Sequence, residues 1–440
     1  MENHLTLKRT LKPVHLWALG VGLVISGEYF GWNYGWGVAG TVGFLIATLI
    51  VTLMFVTFVF SYTELTTSIP NAGGAFAYAQ RALGPYGAVV AGYATLIDFL
   101  LAMPAIAFAL GSYLHFLHPA LPVLHCAIFF NLVFMLINAA GVKESANFSI
   151  LVTVLAVAEL LLFMGVTAPH FKSKNFLTNA MPAGWSGVFA ALPYAIWFYL
   201  AIEGITAVAE EVKEPSKNIP KGYMSALFTL AILALGVMVL TGGITNWQRL
   251  ANIDYPLPDA IAVVLGKQHS LTKLFAGIGL FGLVASFHGT MLASSRQIYA
   301  LARAGYLPNA LSKLSQRFRT PQRSVAAGGV ISFAALITGT TSQVIICSVL
   351  GAVVMYIISM VSLFVLRNKE PGLMRPFKAP FYPIFPFVAL LLSLVCLAAI
   401  VWYNVFISLL FAAGLLLCLL LFYINRNNIQ LRIDETDESN

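Results

Sequence analysis

Charge is scarce in this chain. Only 10% of its 440 residues are Asp, Glu, Lys or Arg, against 59% hydrophobic residues. A soluble domain carries about 25% charged residues, so a soluble fold is excluded. Cysteine is also rare. Cys126, Cys347, Cys396 and Cys418 all fall in apolar stretches without ligand spacing or a disulfide pattern, and they read as small buried hydrophobes. No Gly-x-x-x-x-Gly-Lys-Ser/Thr run is present, which removes the usual nucleotide cradle. His-Glu-x-x-His and Gly-x-Ser-x-Gly runs are missing as well, so no metalloprotease or hydrolase motif remains. Nothing in the sequence calls for a metal or another cofactor, and an enzyme is not expected. Met1 to Pro13 lacks the pattern of a cleaved secretory signal, so the first apolar segment is expected to direct its own insertion.

What is present is apolar sequence from end to end, with a mean hydropathy of +0.84. Runs of about 20 residues are long enough to cross a bilayer. Twelve are predicted, near 14–37, 39–63, 84–114, 122–141, 145–167, 186–208, 222–244, 271–302, 324–340, 342–366, 384–402 and 404–424. They leave no room for a separate soluble domain, so residues 1–440 form one transmembrane unit. The polar stretch 425–440, after Tyr423, is expected to be a short disordered tail.

The net charge of +8 does not indicate nucleic acid; it follows from loop asymmetry. With the N-terminus in the cytoplasm, Lys8, Lys143, Arg319, Arg426, Arg432 and most other Lys and Arg residues lie inside. Arg296 lies near the inner end of the eighth span. Only Lys172, Lys174, Arg249, Lys267 and Lys273 fall outside. Both termini are therefore predicted to be cytoplasmic, in a cell (inner) membrane.

Two spans are interrupted. Gly22-Leu23-Val24-Ile25-Ser26-Gly27-Glu28-Tyr29-Phe30-Gly31-Trp32 places three glycines, a serine and a carboxylate inside the first span. Glycine lets a helix open and expose its backbone groups. A carboxylate at membrane depth is costly and marks a cavity, a partner or a transport route. The sixth span carries Pro193, Trp197, Tyr199, Ala201, Glu203 and Gly204 in the same way. Paired interruptions in corresponding parts of two halves point to a transporter with its site at the midplane.

Four stretches then show a resemblance. They are the break in the first span; Tyr62-Thr63-Glu64-Leu65 with Ile69-Pro70-Asn71-Ala72-Gly73-Gly74 and Arg81-Ala82-Leu83-Gly84-Pro85; Ala209-Glu210-Glu211-Val212-Lys213-Glu214-Pro215 with Asn218-Ile219-Pro220; and Ser295-Arg296-Gln297-Ile298-Tyr299-Ala300 running to Pro308. Over nearly its whole length the chain resembles the amino acid–polyamine–organocation (APC) superfamily. The run Ile25 to Trp32 looks like its ethanolamine permease branch. The resemblance implies an all-α LeuT-type fold with two inverted five-helix repeats (14–167 and 186–366), two peripheral helices (384–424) and substrate held between the breaks in spans one and six.

In that register Ser26 and Gly27 lie on the run that receives a substrate carboxylate in amino-acid members, and Glu28 stands where a glycine is usual. A fixed carboxylate there repels an acid and attracts an ammonium. The expected substrate is a small amine without an acid group, such as ethanolamine. The competing reading of Glu28 is a protonated or structurally tied side chain. Trp197, Tyr199, Tyr29 and Trp32 are candidate aromatic partners for an ammonium, although each also suits helix packing. Ala201 lies within the second break. Glu203 reads as a second cation partner, a gate element or a helix-start residue. Asp98, in the middle of span three, either accepts a substrate hydroxyl or pairs with His288. The lysine used by some proton-coupled relatives falls at Ala156 here, with Glu159 one turn further. Glu159 and Asp98 are the candidate coupling groups. The leading function is proton-linked uptake of a small amino alcohol. An amino-acid or polyamine permease is the rival within the class, and a non-transporting membrane sensor is the rival outside it. Oligomeric state is not readable from the sequence.

Overall fold

The computed structural model describes residues 9–141, 146–318 and 320–438, and the side chains of all these except 146–147 and 425–438. Lys8, Lys143 and Arg319, and the side chains of Arg426 and Arg432, therefore lie outside the described residues. Among the described residues the chain is all helical, apart from one parallel bridge between Leu11 and Val212.

Helix α1 (Pro13–Val24) starts on a proline, whose missing N–H costs nothing in the first turn. After the single turn α2 (Ser26–Tyr29) comes α3 (Tyr34–Ser68), in which Gly40, at φ +70°, separates the end of the first predicted span from the second. Helix α4 (Ala75–Leu117) breaks in the same manner at Gly84, φ +76°, ahead of Pro85. Both hinges need a backbone conformation that glycine adopts without a Cβ penalty.

Next come α5 (Val123–Ala139), α6 (Ala146–Thr167), the short α7 (Ser173–Leu177) and α8 (Gly184–Trp197). A ten-residue 3-10 helix (Ile202–Glu211) then leads to α9 (Pro215–Ile244). The remainder is α10 (Pro256–Leu265), α11 (Ser270–Arg303), α12 (Gln322–Thr338), α13 (Thr341–Lys369), α14 (Ile384–Tyr403) and α15 (Val405–Glu438). Thr340 and Gln343 form a reciprocal cap that starts α13 directly after α12.

Nine helical segments among the described residues are long and apolar enough to cross a membrane. Helices also overlie the other three predicted stretches. Pro13–Val24, Val123–Ala139 and Gln322–Thr338 each have fewer than 18 residues, so length and apolarity alone support nine. The tail expected to be disordered is instead a continuation of α15, which runs to Glu438.

Helix α4 packs along α13, α11 and α5, α3 packs against α8, and α1 against α9. The segment 184–211 is the innermost, with 89% of its apolar window buried. For 405–424 the share is 17%, which puts that helix on the perimeter, facing lipid. One charged cluster ties distant helices together. The buried Glu64 on α3 accepts both Nε and Nη2 of Arg367 at 2.7 and 2.6 Å, lies 3.2 Å from Nε of Arg375, and accepts the Ala379 amide at 2.7 Å. A buried carboxylate is tolerated because it is paired this fully.

Candidate functional site

Each interruption predicted from composition has a distinct backbone geometry. At the first, α2 ends on Tyr29, Phe30 is extended (φ −161°, ψ 173°) and Gly31 has φ +89°. Asn33 braces the opening. Its Oδ1 accepts the Gly31 amide at 3.0 Å, and its Nδ2 donates to the Leu250 and Ile253 carbonyls at 2.6 and 2.8 Å. Sequence reasoning missed Asn33, although a polar amide in an apolar run beside glycine is the signal that marks it.

At the second interruption α8 ends on Trp197, and Ala201 takes the left-handed conformation at φ +76°. That conformation strains any residue with a Cβ, and strain of this kind gathers at functional sites. The following 3-10 run of ten residues exceeds the three or four that this helix type normally sustains. The change in backbone therefore falls at Ala201.

The two openings touch. A Cβ on Gly27 would collide with the Trp197 carbonyl oxygen, so only glycine fits there. The Trp197 indole N–H donates to the Phe30 carbonyl at 3.0 Å, and the Trp32 indole donates to the Glu28 carbonyl at 3.1 Å. Both carbonyls are thus capped by indoles. Ser26 is held by Ser286, whose hydroxyl donates to the Leu23 carbonyl at 2.6 Å and lies 2.8 Å from the Ser26 Oγ, from which it can accept.

The structure separates the predicted polar residues into four groups. Glu28 is fully buried, and neither carboxylate oxygen has a hydrogen-bond partner among the described residues. Glu159 accepts the Tyr29 hydroxyl at 2.7 Å, while Tyr113 donates to the Tyr29 carbonyl at 3.2 Å. Asp98 and Glu203 bring their carboxyl groups together. His288 bonds Asn138, Nδ1 to Nδ2 at 3.0 Å. The alternative pairing of Asp98 with His288 is therefore wrong: His288 turns toward α5 and Asp98 toward the 3-10 helix. Tyr199 is buried in packing, with its ring 4.8 Å from that of Phe55 and its hydroxyl 2.7 Å from Thr52. Trp197 is likewise buried, edge-on to Phe30 at 5.6 Å.

A cavity of about 380 Å³, counting space continuous with solvent, opens beside the second interruption. Glu203, Thr206, Gly73, Gly74, Arg296 and Gln297 line it. It thus lies toward the end of the bundle that carries the Glu64–Arg367 cluster and the Gly73-Gly74 turn. Glu28 is not among its lining residues.

Interrupted apolar helices that meet around buried carboxylates are the construction of a secondary transporter. Residues 11–424 match the amino acid permease family, and the chain belongs to that family, within the APC superfamily. It is 30% identical over 405 residues to an uncharacterized transporter of Rhizobium meliloti (strain 1021), covering 89% of this chain and 86% of that protein. It is 27% identical to the branched-chain amino acid permease BcaP of Bacillus subtilis (strain 168), over 91% and 90% of the two chains. To the methylthioribose transporter of the same organism it is 28% identical, over 87% of each chain. The protein is a multi-pass membrane transporter of small molecules.

Proposed function

We propose that this transporter imports a small amine lacking an acid group, ethanolamine first among them, and that protons drive the uptake. The observation that carries the substrate class is Glu28. A buried carboxylate with no donor and no cation is among the costliest groups a protein can hold. An entering ammonium would supply the missing charge and donors together. A carboxylate on the substrate would meet Glu28 as a like charge in a low-dielectric site. Trp197 and Trp32, held by the carbonyls of the break, would border such a ligand and add cation–π attraction of about 0.5–2 kcal/mol each. Ser26, Gly27, Tyr29 and Ala201 would shape the surrounding walls, while Tyr199 stays in its packing against Phe55 and Thr52. His288, bonded to Asn138, takes no part in this reading.

We further infer twelve spans in a LeuT-type arrangement, with repeats 14–167 and 186–366, peripheral helices 384–424 and both termini in the cytoplasm of a cell whose inner membrane holds the protein. The basic loops support that orientation. Glu159 and Asp98 are the coupling candidates by depth. The similarity to a branched-chain amino acid permease keeps an amino-acid substrate as the second reading. A methylthioribose transporter at equal similarity argues against reading the substrate from relatives.

The test is calorimetry on purified wild type and Glu28→Gln with ethanolamine and alanine. The variant keeps size and removes charge. Losing a charge-assisted bond of about 1.5–3 kcal/mol weakens ethanolamine binding roughly 10- to 150-fold. Alanine should bind wild type poorly. Unchanged ethanolamine affinity in the folded variant, or tight alanine binding by wild type, overturns the reading.

A further inference from the structure

We propose that Asp98 and Glu203 share one proton, and that this pair is the proton-carrying site of the transport cycle, loaded and discharged through the cavity beside the second interruption. The proposal deepens the coupling reading above. It assigns the proton to a pair of residues and gives it a route.

Asp98 stands in the middle of α4 and Glu203 at the start of the 3-10 helix, and their carboxyl groups face each other. Asp98 is fully buried and Glu203 is 2% exposed. Each keeps one oxygen, Oδ2 of Asp98 and Oε1 of Glu203, with no other hydrogen-bond partner among the described residues. The remaining oxygens have only long contacts. The Ser348 hydroxyl donates to the Asp98 backbone carbonyl at 2.7 Å and lies 3.3 Å from Oδ1 of Asp98, and Tyr356 donates to Oε2 of Glu203 at 3.5 Å. Two such donors cannot stabilise two adjacent negative charges away from water. One proton between them resolves the conflict. It removes a charge, makes one carboxyl a donor and the other an acceptor, and satisfies both orphaned oxygens.

The groups around the pair do not offer another solution. Tyr62 on α3, Tyr223 on α9 and Tyr356 on α13 face it, and all are neutral hydroxyls. Tyr223 bonds the Glu203 carbonyl, at 3.4 Å, rather than its carboxylate. Arg296 on α11 lines the same cavity, but its electrostatic partner is Glu211. Glu159 differs in kind. It has the Tyr29 hydroxyl at 2.7 Å, and the other group acting on it is the Gly279 backbone, with no second carboxylate beside it among the described residues.

Position turns the pair into a coupling device. Glu203 lines the cavity, so a proton can reach it from that side. It also follows directly on the left-handed Ala201, so it rides on the half-helix below the break, while Asp98 sits on the helix α4 that packs deep in the bundle. With the proton present, the two elements are held by a hydrogen bond. When the proton leaves, they repel. Proton release is thereby linked to separation of the lower half-helix from α4.

The experiment is infrared difference spectroscopy of the purified full-length transporter in lipid, without substrate, between acid and alkaline buffer. In wild type a protonated-carboxyl band should appear. Selective carbon-13 labelling of aspartate and, separately, of glutamate should each move it, because the proton is shared between the two residue types. The band should fall to baseline in Asp98→Asn and in Glu203→Gln, and persist in Glu159→Gln and Glu28→Gln. A wild-type band that neither label moves, or that survives in both pair variants, overturns the proposal, as does the lack of any titrating band. The labelling arm needs no variant, so misfolding of a mutant cannot hide the answer. The band does not depend on which substrate is carried, so a transporter that ignores ethanolamine but keeps the band fails only the substrate reading. Proteoliposome uptake by Asp98→Asn should then lose its response to an inward proton gradient at fixed voltage.

Discussion

Glu28 and Glu203 occupy comparable places, one within each interruption, and both are removed from water. Their surroundings are opposite. Among the described residues Glu28 has no partner for either oxygen. Glu203 has a second carboxyl, a tyrosine hydroxyl and a cavity. On the readings proposed above, Glu28 takes its partner from a cationic substrate, whereas two carboxyls in contact are satisfied by one proton. The same residue type thus serves two purposes, and the neighbours decide which. If the two proposals hold, substrate and proton occupy different places while the touching breaks link them.

The comparison predicts graded effects. Gly27→Ala should be the most damaging, because the added methyl meets backbone at Trp197 and neither break can yield without shifting the other. We expect the loss to reach or exceed the top of the about 1–3 kcal/mol range for overpacked cores. Thermal unfolding and uptake measured on the same preparation should fall together. A folded Gly27→Ala transporter with normal uptake would show that the two breaks do not depend on their contact. Trp197→Phe is milder. It keeps an aromatic ring but removes the donor to the Phe30 carbonyl, at an expected cost of about 1–2 kcal/mol in stability. Ethanolamine affinity should change less than in Glu28→Gln; an equal or larger loss would shift the binding energy from the carboxylate to the indole. Tyr356→Phe should be the smallest, under about 1 kcal/mol, because its contact to Glu203 is already 3.5 Å long. Its useful readout is the carboxyl infrared band, which should shift in frequency yet remain. Disappearance of the band would mean that Tyr356, not Asp98, holds the proton in place.

Much of this arrangement is legible in the sequence, for identifiable reasons. The interruptions are visible because Gly27, Gly31 and Pro193 stand in apolar runs where regular helix is otherwise the cheapest backbone. Glu28, Asp98, Glu159 and Glu203 are visible because charge at such depth is rare. Their partners are not visible. Asp98 and Glu203 meet only through the packing of helices far apart in the chain, and hydrophobic periodicity does not say which faces meet. The same limit hid the Asn138–His288 bond and the attachment of Glu64 to Arg367 and Arg375. Tyr199 looked like part of an aromatic cage because it flanks the break. A residue there can point either way around the opened backbone, and this one points into packing at Phe55 and Thr52.

The parallel bridge between Leu11 and Val212 has a mechanical consequence. Thr10 and Leu11 both donate to the Glu211 carbonyl, at 2.9 and 3.1 Å, and Lys213 returns a bond to the Leu11 carbonyl at 2.9 Å. Leu11 precedes α1 and Val212 follows the 3-10 helix, so this stitch fastens the lower ends of both broken helices to each other. They form a yoke. A push delivered to one arm is delivered to both, and neither can swing out alone until three backbone bonds are given up. Any event that displaces Glu203 therefore also pulls on the segment leading to Glu28.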